Sequence, residues 1–265
     1  MRTRFRTIWI SDTHLGSAGS RAEELAIFLK HVTCDRLYLV GDIVDMWRLR
    51  QKWSWPQDHN VVVRRILKLA SRGTEIIYIP GNHDDAARPY TGMVFGGVRI
   101  ALNAAHQTAD GRHLLVCHGD QYDLVVQNSR LLALLGAHSY EVLLKINRLV
   151  DAGRSLLGLP RGSLARRVKL AVKSACTYVS RFEEELQAEA KRGGFDGVVC
   201  GHIHKASSER LANGIHYYNC GDWVEGCTAL VEDDNGHMAI LDAVEFNARA
   251  TQAAIVEDVE SSSVG

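Results

Sequence analysis

The sequence lacks any run of about 18 consecutive apolar residues, the length that a helix needs to span a bilayer. The apolar run near its N-terminus reaches only five or six residues, which is shorter than the core of a signal peptide. No internal repeat is visible along the chain. These absences predict a cytoplasmic protein and leave open a peripheral contact with the inner face of the cytoplasmic membrane.

Net charge and paired cysteine motifs are also missing. Lys and Arg together number 31 and Asp and Glu also number 31, so the overall charge suggests no partner. None of the six cysteines has C-x-x-C spacing and several lie in apolar runs, which predicts buried thiols in a reducing compartment. The 265 residues, 46% hydrophobic and 23% charged, suit one α/β domain or one domain with an insertion.

What the chain does contain is an alternation of apolar β-type runs with helical patterns, which predicts an α/β fold. The predicted strands are Phe5–Ser11, Arg36–Val40, Glu75–Pro80, His113–Cys117 and Asp196–Cys200. Helices are predicted over Arg21–Thr33 and Val61–Ser71, and shorter strands over Ile215–Asn219, Thr228–Glu232 and Met238–Leu241. We expect a single domain over 1–265, with a small, polar and flexible tail over 251–265.

Residues 124–192 differ from the rest because they read as helical and interrupt the strand pattern. From Leu124 to Arg181 there are ten Lys and Arg residues against two acidic residues. Apolar residues recur at helical spacing between these cations, which is typical of an amphipathic helix. Such an insertion suits an anionic lipid or a membrane surface, and a solvated helical hairpin would have the same composition.

Polar residues follow each of the five main predicted strands, at the point where the strand ends. Asp12, Asp42, Asn82, His118 and His202 occupy these positions, most of them next to glycine. In open α/β sheets, ligands bind beyond the carboxyl ends of the strands, so five such ends predict one shared site. The glycines permit sharp turns and a close approach of the backbone to a bound group.

These side chains have the chemistry of a two-metal phosphoesterase site. Hydrolysis of a phosphate ester needs hydroxide at neutral pH and positive charge around the phosphoryl oxygens, and two divalent ions about 3.5–4 Å apart supply both. Mixed imidazole, carboxylate and amide ligands favour Mn²⁺, the expected metal, or Fe, Zn²⁺ or Co²⁺ over Ca²⁺ and Mg²⁺. The candidate ligands are Asp12, His14, Asp42, Asn82, His118, His202 and His204.

The ordered series D-x-H, G-D-x-x-D, G-N-H-D, H-G-D and G-H-x-H resembles that of the calcineurin-like metallophosphoesterase superfamily. The resemblance implies a four-layer α/β/β/α sandwich with a dinuclear site above the sheet edges. One metal would be held by Asp12, His14, Asp42 and His204, and the other by Asp42, Asn82, His118 and His202. His83 would be the general acid or electrostatic clamp for the leaving group, Asp84 would orient it, and Asp45 would lie just outside the ligands.

Within the superfamily, the chain resembles the UDP-2,3-diacylglucosamine pyrophosphatase family of lipid A synthesis. The likeness rests on the start S-D-T-H-L-G, the stretch G-D-I-V-D-M-W through Trp47, and the long insertion between His118 and His202. It implies a phosphoanhydride or phosphodiester substrate in a nucleotide-linked or anionic lipid, with the insertion as a lid for the acyl chains. The chain departs from well-known members at His83, where they carry Arg, and at Asp45, where they carry another acidic residue.

Two other functions on the same fold compete with this one. The first is a phosphodiesterase or nuclease for a soluble nucleotide or nucleic acid. Because no repeated aromatic platform accompanies the basic stretch, nucleic acid is the less expected partner. The second is a catalytically silent scaffold, which would have lost ligands, whereas all seven candidates are present.

Several residues near the motifs have less definite assignments. Arg88 and Trp47 are candidates for substrate binding because they closely follow site motifs. Trp53 and Trp55 could line the same groove or pack in the core. We expect Asp222-Trp223 to form a structural turn, and the histidines without a motif to be non-ligands, namely His31, His59, His106, His138, His216 and His237.

Overall fold

A computed structural model describes residues 2–122, 182–210 and 214–262. Seven strands form its larger sheet: β1 (Thr3–Ile10), β2 (Val32–Val40), β3 (Glu75–Ile79), β4 (Val94–Phe95), β5 (Val98–Ile100), β11 (Thr228–Glu232) and β12 (Met238–Asp242). Their order across the sheet is β12-β11-β1-β2-β3-β5-β4. Because β1, β2 and β3 are parallel neighbours, their carboxyl ends reach the same edge of the sheet.

The second sheet has five strands, β6 (Ala104–Gln107), β7 (His113–Val116), β8 (Gly197–Cys200), β9 (Ser207–Arg210) and β10 (His216–Asn219). Their order is β6-β7-β8-β10-β9, and the neighbours β7 and β8 are parallel. Trp9, Tyr38 and Ile77 of the first sheet share one buried cluster with Val116 and Val199 of the second. The two sheets therefore pack face to face through an apolar layer.

Helices cover the other face of the first sheet. They are α1 (Ala22–His31), α3 (Gln57–Ser71) and α5 (Ala243–Ser262), while the short helix α2 (Met46–Gln51) follows β2. In α1, Leu25, Phe28 and Leu29 recur at helical spacing and are buried against this sheet. Val198 of the second sheet is fully buried outside this shared cluster, and Leu186 of the helical residues 182–192, here α4, is fully buried too. The predicted α/β/β/α order of layers is confirmed.

The chain divides into two compact units, Met1–Gly119 with Leu186–Gly265, and Asp120–Glu185. Most of the second unit lies outside the described residues, and so does most of the insertion predicted over 124–192. Every candidate metal ligand belongs to the first unit. Within the part of the chain that is described, no helix is long and apolar enough to cross a membrane.

The observed elements differ from the predicted ones mainly at their ends. α1 ends at His31 rather than Thr33, because the β-branched residues Val32 and Thr33 enter β2 with no loop between. α3 begins directly after Pro56, four residues earlier than predicted, since proline is tolerated at a helix start but not in its interior. Positions 251–262 of the tail predicted over 251–265 continue α5, because extending a helix costs less than starting one. The predicted flexibility of the tail stays a prediction.

Candidate metal centre

The candidate ligands follow five strand ends that lie at one edge of the two stacked sheets. Asp12, Asp42 and Asn82 follow β1, β2 and β3 of the first sheet, while His118 and His202 follow β7 and β8 of the second. A hydrogen bond joins the two sheets here, because the His202 backbone N–H donates to Asp12 Oδ2 at 3.0 Å. As the sequence predicts, the strand ends that carry the candidate ligands lie at one shared edge.

The backbone at these strand ends is unusual. Of the seven candidate ligands, five have left-handed backbone angles, with φ between 44° and 73°. Cys227 is the one other non-glycine residue with positive φ in the part of the chain that is described. A left-handed conformation costs a residue with a Cβ atom about 1–2 kcal/mol, and such strain clusters at functional sites. The five residues are Asp12, His14, Asp42, His202 and His204.

Three of these side chains form the first group of candidate ligand atoms. Asp12, His14 and His204 offer ligand atoms that lie within 4.8 Å of one another. The Nε2 atoms of His14 and His204 are 3.3 Å apart, and His204 Nε2 lies 3.2 Å from Asp12 Oδ1. Two imidazoles and a carboxylate converging on one point is a ligand set for a divalent transition metal.

The second group consists of Asp42, His118 and His202, again with ligand atoms within 4.8 Å of one another. His118 Nδ1 lies 2.9 Å from the Val40 carbonyl oxygen, so Nδ1 carries the proton and donates. The other ring nitrogen, Nε2, lies 3.5 Å from Asp42 Oδ1. A backbone carbonyl that fixes the histidine tautomer in this way is typical of metal-ligating histidines.

Asp42 connects the two groups. Its Oδ2 lies 3.9 Å from His14 Nε2 in the first group, and its Oδ1 lies 3.5 Å from His118 Nε2 in the second. Each oxygen of one carboxylate therefore faces a different cluster of nitrogen and oxygen donors. A carboxylate that bridges two cations needs this orientation.

Two buried acceptors in the site have no hydrogen-bond partner within the described ranges. They are Asn82 Oδ1 and Asp12 Oδ1, the latter because its 3.2 Å approach to His204 Nε2 lacks the geometry of a hydrogen bond. A buried polar atom without a partner is rare, because losing its hydrogen bond to water costs about 1–3 kcal/mol. Both atoms belong to candidate ligands, and a cation would satisfy each of them. The donor set therefore fits divalent metal ions.

Gly41 and Gly81 allow the strand ends to approach so closely. A Cβ atom on Gly81 would lie 2.2 Å from Asp42 Oδ1, and one on Gly41 would lie 2.1 Å from His118 Nδ1. Gly41 also has a φ of 76°, which glycine adopts without strain. Any side chain at either position would displace Asp42 or His118.

The Asp84 carboxylate forms its hydrogen bonds with backbone groups, and none of the bonds among the described residues joins it to the His83 ring. The Asp84 carboxylate is fully buried, and it accepts backbone N–H bonds from Gly81 at 2.5 Å and from Ile43 at 2.7 Å. Longer bonds of 3.3 Å come from the N–H groups of Asp42 and Val44. Asp84 therefore holds together the two turns that carry Asp42 and Asn82, and its orientation of the imidazole stays a prediction.

The partner of His83 is Asp45, whose Oδ1 lies 3.1 Å from His83 Nδ1. Burial opposes protonation of His83, but the bond to Asp45 and the nearby carboxylates raise its pKa above the ordinary value. Burial would likewise raise the pKa of Asp45, yet its bonds with His14 and His83 hold that pKa below the usual range. Asp45 also caps α2 by accepting the Arg48 N–H at 3.0 Å. Sequence reasoning placed Asp45 near the ligands but missed this pairing.

The remaining candidates have varied surroundings. The Trp47 ring lies 4.4 Å from that of His83, and Arg88 donates to the Pro80 carbonyl beside the site at 3.3 Å. Trp53 is 76% exposed, whereas Trp55 packs against the core. The Asp222 carboxylate accepts the N–H groups of the residues that follow it, as the predicted structural turn requires.

Two histidines predicted to be non-ligands have other partners. His59 Nδ1 accepts the Gly16 backbone N–H at 3.0 Å. His106 Nε2 donates to the buried Glu232 carboxylate at 2.9 Å. Each ring is thus part of the packing of the fold.

A sequence model of the calcineurin-like phosphoesterase family matches residues 5–206, a range that includes every candidate ligand. The chain belongs to this family, and it is a metal-dependent phosphohydrolase. Membership implies divalent metal ions. Among the described residues, three groups offer ligand atoms close enough to hold one, namely the two described above and the group of His14, Asp45 and His83.

Several bacterial relatives share one name, UDP-2,3-diacylglucosamine hydrolase. The protein of Stenotrophomonas maltophilia is 27% identical over 251 residues, covering 87% of this chain and 96% of its own. That of Xanthomonas axonopodis pv. citri is 26% identical over 243 residues, with coverages of 87% and 96%. Among solved structures, an archaeal phosphodiesterase aligns over 89% of this chain and 98% of its own, with 14% identity and a TM-score of 0.43.

Proposed function

We propose that the chain is a two-metal phosphoesterase that hydrolyses a phosphoanhydride or phosphodiester bond in a nucleotide-linked or anionic lipid. The observation that carries the proposal is Asp42, whose two oxygens face two separate groups of donors. The metals, Mn²⁺ by preference, would be held by Asp12, His14, Asp42 and His204, and by Asp42, Asn82, His118 and His202. Bound there, two divalent cations supply a hydroxide nucleophile and positive charge around the phosphoryl oxygens.

His83 is proposed to protonate or electrostatically stabilise the leaving group. Its Nδ1 is bound to Asp45, and no described residue forms a hydrogen bond with its Nε2. The side chain is 27% exposed, so the ring is partly accessible from solvent. The His83 main chain is fixed as well, because its N–H donates to Asp42 Oδ1 at 2.8 Å.

The substrate class is proposed from the relatives and from composition. Relatives that cover most of this chain are named for a diacylated, UDP-linked sugar. The excess of basic residues over Leu124–Arg181 would suit an anionic lipid or the membrane in which it resides. Arg88, which lies half-buried beside the strand end of β3, remains the candidate phosphate contact.

Metal stoichiometry tests the two-metal arrangement. The protein loaded with Mn²⁺ should bind two ions per chain by elemental analysis, and Asp42→Asn should lose both because each ion loses the shared ligand. Asn82→Ala should lose only the second ion, and Asp35→Asn, an exposed carboxylate remote from the site, should lose none. One ion in the wild type, or loss of a single ion in Asp42→Asn, would reject the shared carboxylate.

A substrate comparison tests the lipid class. Initial rates with UDP-2,3-diacylglucosamine should give a higher kcat/KM than those with a UDP-sugar without acyl chains or with a soluble nucleotide diester. Hydrolysis of bis(p-nitrophenyl) phosphate in Mn²⁺ serves as the reference for an active enzyme. Equal kcat/KM values for the acylated and non-acylated compounds would leave the phosphoesterase intact and reject the lipid.

A further inference from the structure

Trp47 lies on α2, immediately beside the proposed leaving-group residue. The centroids of the Trp47 and His83 rings are 4.4 Å apart, and the planes are inclined by 30°. The two rings are therefore in close, tilted contact. The sequence suggested Trp47 as a substrate contact, but the surface of the indole that lies against His83 is not available to a substrate.

The contact with Trp47 is one of three that surround the His83 ring. The rings of His83 and His14 meet edge to face, with centroids 4.7 Å apart and planes at 88°. The Nδ1 atom is bound to Asp45 at 3.1 Å. Trp47 supplies the third contact. Among the described residues, none forms a hydrogen bond with the remaining ring nitrogen, Nε2.

Hydrogen bonds of the backbone also join α2 to His83. The Met46 N–H, at the first position of α2, donates to the His83 carbonyl oxygen at 3.1 Å. Asp45 caps the same helix through the Arg48 N–H while it binds the His83 ring. The position of the indole is therefore fixed relative to both the main chain and the side chain of His83.

We propose that Trp47 is a positioning residue for the reaction, holding the His83 imidazole at the angle that directs Nε2 toward the leaving group. The proposal rests on the proposed function of His83. Without the indole, the ring would keep its bond to Asp45 but could rotate about that bond and swing Nε2 off line. The chemistry that suffers is therefore leaving-group departure, while metal binding and substrate binding stay intact.

Leaving-group dependence tests the proposal. Bis(p-nitrophenyl) phosphate expels a stable anion that needs no proton, whereas diphenyl phosphate expels a more basic phenolate. Because loss of acid catalysis costs about 10²–10⁴-fold, partial misalignment in Trp47→Leu should lower kcat about tenfold with the phenyl ester. With the nitrophenyl ester, Trp47→Leu should retain the wild-type kcat, and KM should be unchanged for both. Trp47→Phe, which keeps an aromatic face, should restore most of the rate.

Controls separate positioning from other roles. Trp53→Leu removes an exposed indole of the same segment and should behave as wild type with both esters. A raised KM with unchanged kcat in Trp47→Leu would make Trp47 a substrate contact and overturn the proposal. Equal losses with both esters, or loss of bound metal, would assign it a purely structural role and overturn it as well. If His83→Gln shows no leaving-group dependence, the proposed function of His83 fails first.

A spectroscopic measurement tests the contact without turnover. In the protein loaded with diamagnetic Zn²⁺, the ring resonances of His83 can be assigned by their disappearance in His83→Gln. Trp47→Leu should shift these resonances because the ring current of the stacked indole is lost, and Trp53→Leu should leave them in place. Unshifted His83 resonances in Trp47→Leu would show that the rings do not stack in solution and would overturn the proposal.

Discussion

Replacing Asp84 with asparagine should destabilise the fold of the metal-free protein by about 3 kcal/mol. An asparagine side chain has one carbonyl oxygen, so its NH₂ group would face the backbone N–H groups that one carboxylate oxygen now accepts. Each buried N–H group left without an acceptor costs about 1–3 kcal/mol, and both Oδ1 and Oδ2 accept two such groups. Two such groups give a range of about 2–6 kcal/mol. Burial and the neighbouring Asp42 raise the pKa of Asp84, so part of the carboxylate's gain is already offset and the lower half of that range applies.

Thermal unfolding of the EDTA-treated protein measures this loss. For a chain of this size, about 3 kcal/mol corresponds to a fall in Tm of about 6–12 °C. Asp35→Asn, at a 61% exposed side chain paired with Arg4, is the matched control and should melt with the wild type. A melting temperature for Asp84→Asn within a degree of the wild type would refute the reasoning, because the four N–H bonds would then contribute nothing. If Asp84 oriented His83 instead, the variant would keep its Tm and lose kcat.

Three further predictions concern the site and its support. Asn82→Leu should raise the Tm of the metal-free protein, because it removes a buried acceptor without a partner among the described residues. It should also weaken binding of the second metal, as measured by calorimetric titration. An unchanged metal affinity would contradict this. Gly81→Ala should abolish two-metal binding through the contact of its Cβ with Asp42, whereas Gly73→Ala, with no atom within 4 Å, should lose stability alone. Burial opposes ionisation of Glu232, but His106 and the Ala109 N–H hold its pKa below the ordinary 4.5. The ionised Glu232 therefore stabilises the folded protein above pH 4.5, and this stabilisation is lost as the pH falls through the folded-state pKa. Glu232→Gln should flatten urea stability between pH 6 and pH 3 relative to wild type, and a parallel pH profile would contradict the assignment.

The convergence of the candidate ligands could be predicted because it follows from strand direction. Each apolar run ends in a polar residue, and parallel strands bring such ends to one edge. Asp42 and His118 lie in different sheets and 76 positions apart, yet their side chains meet because both follow a strand of the same orientation. What the pattern could not supply is the direction of each side chain within the turn.

Asp45 and Asp84 illustrate that limit. Both are acidic residues just beyond a strand end, and motif order alone assigned His83 to the residue next to it. The structure pairs His83 with Asp45, because α2 begins at Met46 and its capping residue points back into the site. An Asp followed by a helix-forming stretch is a recognisable N-cap signal, and it could have identified Asp45.

Short edge elements were also missed. Strands β4, β5, β6 and β9 have two to four residues each, too few for an alternating pattern to be distinguished from a loop. Gly96 and Gly97 form the turn between β4 and β5, both with positive φ, and they read in sequence as a loop. These strands are stabilised by pairing with longer neighbours, which is tertiary information that no local window contains.

The left-handed backbone at five candidate ligands creates a trade-off between the thermal stability of the fold and its ability to bind metal. Glycine would relax each of the five strained positions, from Asp12 to His204, and would thereby make the unliganded protein harder to melt. The same change would delete the donor atom. A lineage released from the need to hydrolyse phosphate esters should drift toward glycine at these points, and a designer seeking a hardier catalyst should leave them untouched and reinforce the helices instead.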